Sequence, residues 1–173
     1  MALVQSFAPV IGKRPRILIL GSMPGIASLE VAQYYAHPRN AFWPIMSELF
    51  GVDASVDYAQ RIAQISEKPV ALWDTLKSCY RPGSLDSAIT RDSVEANEIP
   101  DLLQQHPTIC AVACNGATSH DYFRKLVQPQ LVNTSEITSD IKLLKMPSTS
   151  PANASMNFEQ KLGVWRCLLN YLD

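Results

Sequence analysis

At 173 residues, 47% of them hydrophobic and 18% charged, the chain is long enough to bury one sizeable core and is expected to form a single domain over residues 1–173. A net charge of −1 excludes a global field that would pull the protein onto nucleic acid or an anionic membrane. Any polyanion must therefore be met by local groups. No stretch has the length of a membrane span and no secretion signal stands out, so a cytoplasmic protein is expected, without membrane contact.

Residues 17–20, Ile-Leu-Ile-Leu, form the first apolar strand. Gly21-Ser22-Met23-Pro24-Gly25 follows at once, and helical sequence resumes from about Ser28. Two glycines and a proline behind a strand let the backbone turn tightly with its N–H groups free. The turn is not a G-x-G-x-x-G or P-loop pattern. By itself it reads equally as an ordinary strand-to-helix turn or as an amide cradle. Residues 34–43, Tyr-Tyr-Ala-His-Pro-Arg-Asn-Ala-Phe-Trp, gather four aromatics, a His, an Arg and an Asn. Aromatic faces suit stacking on a base, and an Asn amide can orient a water or cap a helix. A helix over 41–50 stops at Gly51, and another covers 56–65.

Strands are expected at 69–73, 109–114 and 141–146, and helices at 94–105 and 118–126. Asp74, just past its strand, is a candidate acid or base, and Arg81 a candidate phosphate ligand. Both are also ordinary turn residues. Asn115-Gly116 again follows a strand. The loop Pro147-Ser148-Thr149-Ser150-Pro151-Ala152-Asn153 is rich in hydroxyls that suit phosphate, and also in the residues of a capped linker. A helix over 157–172 closes the chain, with Phe158, Leu162, Trp165, Leu168, Leu169 and Leu172 on one side. Cys79, Cys110, Cys114 and Cys167 lack metal or disulfide spacing and read as reduced thiols.

Alternating strands and helices predict a three-layer α/β/α fold around a central, mostly parallel four-stranded sheet. Ligands in such sheets bind beyond the carboxyl ends of the strands. Those ends carry Gly21–Gly25, Asp74–Leu76, Asn115-Gly116 and 147–153, so these four segments should meet.

In this order the segments resemble the uracil-DNA glycosylase superfamily over nearly the whole chain. Gly-Ser-Met-Pro-Gly is similar to its strand-plus-G-x-x-P-G motif. His37-Pro-x-Asn40-x-Phe42-Trp43 is similar to the segment that follows it in the mismatch-specific uracil/thymine enzymes. Residues 147–153 stand where the superfamily has its DNA-inserting loop. With Gly-Ser-Leu-Asp-Ser-Ala-Ile at 83–89, the set looks closest to the hypoxanthine (deoxyinosine) DNA glycosylases. One departure matters: the mismatch-specific enzymes carry a catalytic Asn where this chain has Met23.

The resemblance implies a monofunctional DNA glycosylase of base excision repair. It would hydrolyse the N-glycosidic bond of a flipped-out deaminated base, foremost hypoxanthine. The alternatives are a uracil or mismatch-specific glycosylase and a non-catalytic damaged-base-binding protein. Asn40 would be catalytic. Gly21, Ser22, Met23, Pro24, Gly25, Phe42 and Asn115 would form the base pocket, with Phe42 stacking on the base. Pro147, Ser148, Thr149, Ser150 and Pro151 would bind DNA. The expected partner is DNA containing a deaminated base, met by a monomer with no metal or organic cofactor.

Overall fold

Strands buried on both faces have no polar side to spare, so they are written as continuous apolar runs. In the computed structural model, which describes residues 2–132 and 140–173, this holds at the centre of the sheet. Two short strands come first, β1 (Leu3–Gln5) and β2 (Val10–Ile11). The central strand β3 (Ile17–Gly21) leads into helix α1 (Ile26–Val31). Helices α2 (Phe42–Phe50) and α3 (Tyr58–Ser66) precede β4 (Val70–Asp74) and β5 (Leu76–Tyr80). Then come β6 (Glu95–Ala96), α4 (Ile99–Gln105), β7 (Ala111–Asn115) and α5 (Ala117–Tyr122). A π-helical stretch, Phe123–Val127, joins α5 to α6 (Gln128–Leu131). Strand β8 (Lys142–Met146) and helix α7 (Phe158–Trp165) complete the set.

The main sheet has five strands rather than the four expected, in the order β2-β4-β3-β7-β8. Strands β4, β3, β7 and β8 run parallel, and the added strand β2 caps the β4 edge in antiparallel sense. A second, antiparallel sheet, β1-β5-β6, was also not expected.

Alternation along β3 builds the layers. Ile17 and Ile19 pack with Phe42, Ile45, Met46, Leu162 and Trp165 on one face. Leu18 and Leu20 pack with Ile99, Leu102, Leu103, Phe123 and Val127 on the other. All four strand residues are fully buried. The sheet is therefore sandwiched between helices, as the three-layer reading requires.

Local differences have local causes. The helix expected over 94–105 begins only at Ile99, with Pro100 in its first turn, because residues 95–96 pair with β5. The closing helix is α-helical only to Trp165 and continues as a 3-10 helix through Tyr171. Leu169 is exposed there rather than on the buried side. Gly51 does end α2, with φ 71 and its N–H bonded to Ser47 O. No described helix is long and apolar enough to cross a membrane.

Candidate active site

The parallel register sets the strand ends in a row. Gly21 pairs with Asp74, and Asn115 with Met146, on neighbouring strands. Above that row lies a cavity of about 580 Å³. Its walls include the turn 21–25, Tyr35, Asn40, Asp74, Asn115 and loop 148–153.

The turn 21–25 is tied from below. Thr75 N–H donates to Gly21 O (2.8 Å) and Leu76 N–H to Ser22 O (3.1 Å), so carbonyls face the sheet. A Cβ at Gly21 would lie 2.5 Å from Asp74 Oδ1 and 3.2 Å from Tyr35 Oη, so any side chain there would have to push the buried carboxyl aside. Met23 is 7% exposed and packs with Leu76, Cys79 and Ile89 in a small apolar cluster. Its methionine side chain is thus largely spent on packing.

Asp74 and the Tyr35 hydroxyl form the floor. Asp74 is buried, and neither its Oδ2 nor Tyr35 Oη has a hydrogen-bond partner within the chain. Buried polar atoms are nearly always paired, so two neighbouring unpaired groups on a cavity floor stand out. Burial, then the charge of Asp86, pushes the Asp74 carboxyl up to about 7 against the opposing pull of Arg81. Burial, with Asp74 adding to it, likewise raises the Tyr35 hydroxyl. Tyr35 sits at φ 55, a left-handed conformation rare for a bulky residue.

The aromatics that meet the cavity are Tyr34 and Tyr35. Phe42 is fully buried in the core and does not line it, contrary to the expected stacking role. Tyr35 does line it, stacked on Phe42 at 3.9 Å between centroids and 21° between planes. Phe42 is the backing of that ring.

Asn40 Oδ1 accepts the Phe42 N–H (2.9 Å), so the side chain holds the start of α2 while lining the cavity. One residue on, Ala41 N–H donates to Thr149 O (3.0 Å) and brings the loop alongside. Asn115 grips the same loop with its whole amide: Nδ2 donates to Thr149 Oγ1 and Oδ1 accepts Thr149 N–H, both at 2.9 Å. Gly116, at φ 99, passes so close to Ser148 that a Cβ would lie 3.2 Å from its Cβ. Lys161, on α7, is buried and donates to Ser150 O (3.2 Å).

Several contributors escape sequence reasoning. Asn97 donates from Nδ2 to Asp74 O (2.8 Å) and Leu76 O (3.2 Å), holding the bend that follows Asp74. Arg81 is buried, donating from Nε to Gly83 O (2.8 Å) and from Nη2 to Pro24 O (2.6 Å). It therefore staples loop 81–86 to the turn and is not an exposed phosphate ligand. Asp86 accepts from Ser22 Oγ (2.8 Å). Among the described residues, no cluster of three or more His, Cys, Asp or Glu could hold a metal ion.

The pattern of the uracil DNA glycosylase superfamily matches residues 8–169. The chain belongs to that superfamily. It is accordingly a DNA glycosylase, a hydrolase of N-glycosyl bonds. It is similar to a hypoxanthine DNA glycosylase of Methanosarcina barkeri, 37% identical over 119 residues, which are 68% of this chain and 74% of that one. A hypoxanthine DNA glycosylase of Methanosarcina acetivorans is 30% identical over the same shares. A candidate uracil DNA glycosylase of Methanosarcina acetivorans, solved by solution NMR, superposes with a TM-score of 0.76 at 27% identity, covering 97% of this chain and 99% of that one.

Proposed function

We propose that this glycosylase removes a deaminated purine, hypoxanthine, from DNA, with Asn40 holding the attacking water. The observation that carries this reading is the shared cavity at the strand ends. Turn 21–25, Asn40 and loop 148–153 all line it, above a floor of unpaired polar groups. The two curated relatives named hypoxanthine DNA glycosylase support the choice of base.

A base must leave the stack before its glycosidic bond can be reached. The cavity, at about 580 Å³, is of ligand-binding size. Tyr35 offers its ring to the base, and N–H groups of turn 21–25 donate to the base as negative charge builds on it. Asp74 supplies hydrogen bonds to a lactam edge, a ring N–H beside a carbonyl. Water oxygen bonds to C1′ as the bond from C1′ to the base breaks. The base takes the electron pair and a proton, and the sugar keeps the hydroxyl. Asn40 Oδ1 already serves the Phe42 N–H, which fixes the amide, and its second lone pair and Nδ2 remain for water. An amide is a poor base, so positioning is its contribution.

The test is a set of oligonucleotides bearing inosine, xanthine or uracil, scored for alkali-labile breaks. Inosine should be cut fastest, and Asn40→Ala should slow single-turnover excision about 100-fold. Breaks at uracil but not at inosine would overturn the base assignment. Near-normal excision by Asn40→Ala would remove the asparagine from its role.

A further inference from the structure

A buried lysine normally stands beside a carboxylate, because a lone ammonium is costly to take out of water. Lys161 is 5% exposed, and among the described residues no carboxylate is paired with it. Its bond to Ser150 O (3.2 Å) occupies a single ammonium donor. It also lies in the first turn of α7, just inside the Asn157 cap, where the helix dipole disfavours a cation. Burial lowers its ammonium below the ordinary lysine range, and no neighbouring carboxylate offsets this.

Holding the loop does not account for these costs. Trp165 Nε1 already donates to Pro147 O (3.0 Å), and Asn153 Nδ2 to Ser148 O (3.1 Å). Thr149 is held on both sides, by Asn115 and by the Ala41 N–H. An apolar side chain of similar length at position 161 would avoid burying a charge. What the ammonium adds is a fixed positive charge behind the cavity rim.

The rim in front of it is built of donors. Ser150 O accepts the Asn153 N–H (3.0 Å) as well as Lys161, so the carbonyl nearest the charge is occupied twice. Ser148 Oγ accepts the Ser150 N–H and Ser150 Oγ the Ala152 N–H, both at 3.2 Å. Each hydroxyl thus has a lone pair engaged and its O–H left to donate. Both serines line the cavity. Hydroxyl donors in front of a buried cation suit an oxyanion, and the oxyanion that DNA brings to such a rim is a backbone phosphate.

We propose that Lys161 is a positioning residue that supplies, from behind Ser148 and Ser150, the counter-charge for one DNA phosphate; this rests on the reading that the cavity takes a base out of DNA.

The test neutralises the two partners separately. Uncleavable 2′-fluoro-deoxyinosine duplexes carry a methylphosphonate at one phosphate near the lesion at a time. Fluorescence anisotropy gives the affinity of the wild type, Lys161→Met and Lys161→Arg for each. The wild type should lose affinity roughly 10-fold at one phosphate, as for a lost charged contact. Lys161→Met should bind the unmodified duplex roughly 10-fold more weakly and lose nothing further at that phosphate, the sign of a coupled pair. Lys161→Arg keeps the charge and should keep the loss at that phosphate. Equal losses in wild type and Lys161→Met would overturn the proposal, because the lysine would then serve only the shape of the loop. A wild type indifferent to every methylphosphonate would overturn it too. If Lys161→Met binds no duplex, Lys161→Arg decides, and a missing phosphate-specific loss there overturns the proposal. A wild type that binds the lesion no better than undamaged DNA would instead remove the reading of the cavity, and the same series in undamaged duplex would then decide the lysine.

Discussion

Met23 and Asp74 both border the turn 21–25 and are used differently, one in apolar packing and the other as a buried carboxyl on the cavity wall. Met23 stands where relatives of the mismatch-specific group carry an asparagine, yet its side chain packs in a cluster with Leu76, Cys79 and Ile89. Met23→Asn would bury an amide among these apolar groups. It should destabilise the fold by about 1–3 kcal/mol and add no uracil excision, measured by urea unfolding and by uracil-duplex cleavage. A gain of uracil activity would mean that this side chain turns into the cavity. Asp74 has the opposite character. Its carboxyl titrates at 3.8 ordinarily and is pushed up to about 7 in the fold, by burial and then by Asp86, with Arg81 opposing. Tyr34, Tyr35 and the Ser22-bonded Asp86 are its other ionisable neighbours, and all three are themselves raised by burial. Between those two values the folded chain keeps a proton that the unfolded chain releases. The contribution of this group to stability is therefore full below the lower value and is lost as pH rises to about 7. Asp74→Asn stays neutral throughout. Its melting temperature should gain on the wild type as pH rises from about 5 to about 8, with about 2–4 °C for each kcal/mol recovered. A constant difference across that range would show that the carboxyl ionises freely.

The elements differ in how plainly the sequence announces them, and the reason lies in their length and in what they face. Ile17–Leu20 is legible because it is apolar at every position, the mark of a strand covered on both sides. Its neighbours at 70–74, 111–115 and 142–146 are legible for related reasons, and their ends do line up as expected. Val10–Ile11 and Glu95–Ala96 are two residues each, too short for any period, and pair only because an edge is already there. Leu76–Tyr80 buries Leu76, Ser78 and Cys79 and exposes Lys77 and Tyr80, so burial of Cys79 breaks the alternation that would reveal it. The site follows the same logic. Asn115 and loop 148–153 are legible because strand ends and their turns are where ligands sit, whereas Asn40, ahead of α2, is legible only through the resemblance of its segment to a superfamily motif. The exchange of Phe42 for Tyr35 is not, because it depends on a positive φ that no residue type at Tyr35 advertises. The clamp of Asn115 on Thr149 is the element-scale device that most invites a test. Thr149→Val keeps the backbone bond but leaves Asn115 Nδ2 without its hydroxyl. It should cost about 1 kcal/mol in stability and slow inosine excision about 10-fold, while Thr149→Ser should keep both. Equal excision by Val and Ser variants would show that the hydroxyl does not hold the loop.

At the scale of the whole molecule the question is how a chain of net charge −1 binds a polyanion. The cavity wall makes the problem sharper, since its titratable groups include Asp74 and Asp86. Burial pushes the Asp74 carboxyl up to about 7, so part of its negative charge is lost near neutral pH where DNA must come close. Positive charge is sparse in return. Arg81 is buried and occupied with Gly83 and Pro24 carbonyls, and Lys161 is buried against Ser150. Arg39 is exposed on the segment that carries Asn40. Affinity must then come from loop amides, hydroxyls and the enclosed base more than from ion pairing. Such binding releases few counterions. Affinity for an uncleavable inosine duplex should fall with a log–log salt slope no steeper than about −3, as about three phosphate contacts would give. Fluorescence anisotropy between about 50 and 200 mM salt measures that slope. A value near −6 or steeper would mean that the protein meets DNA through a basic surface well outside this cavity, and that the cavity takes the base only after that surface has taken the strand.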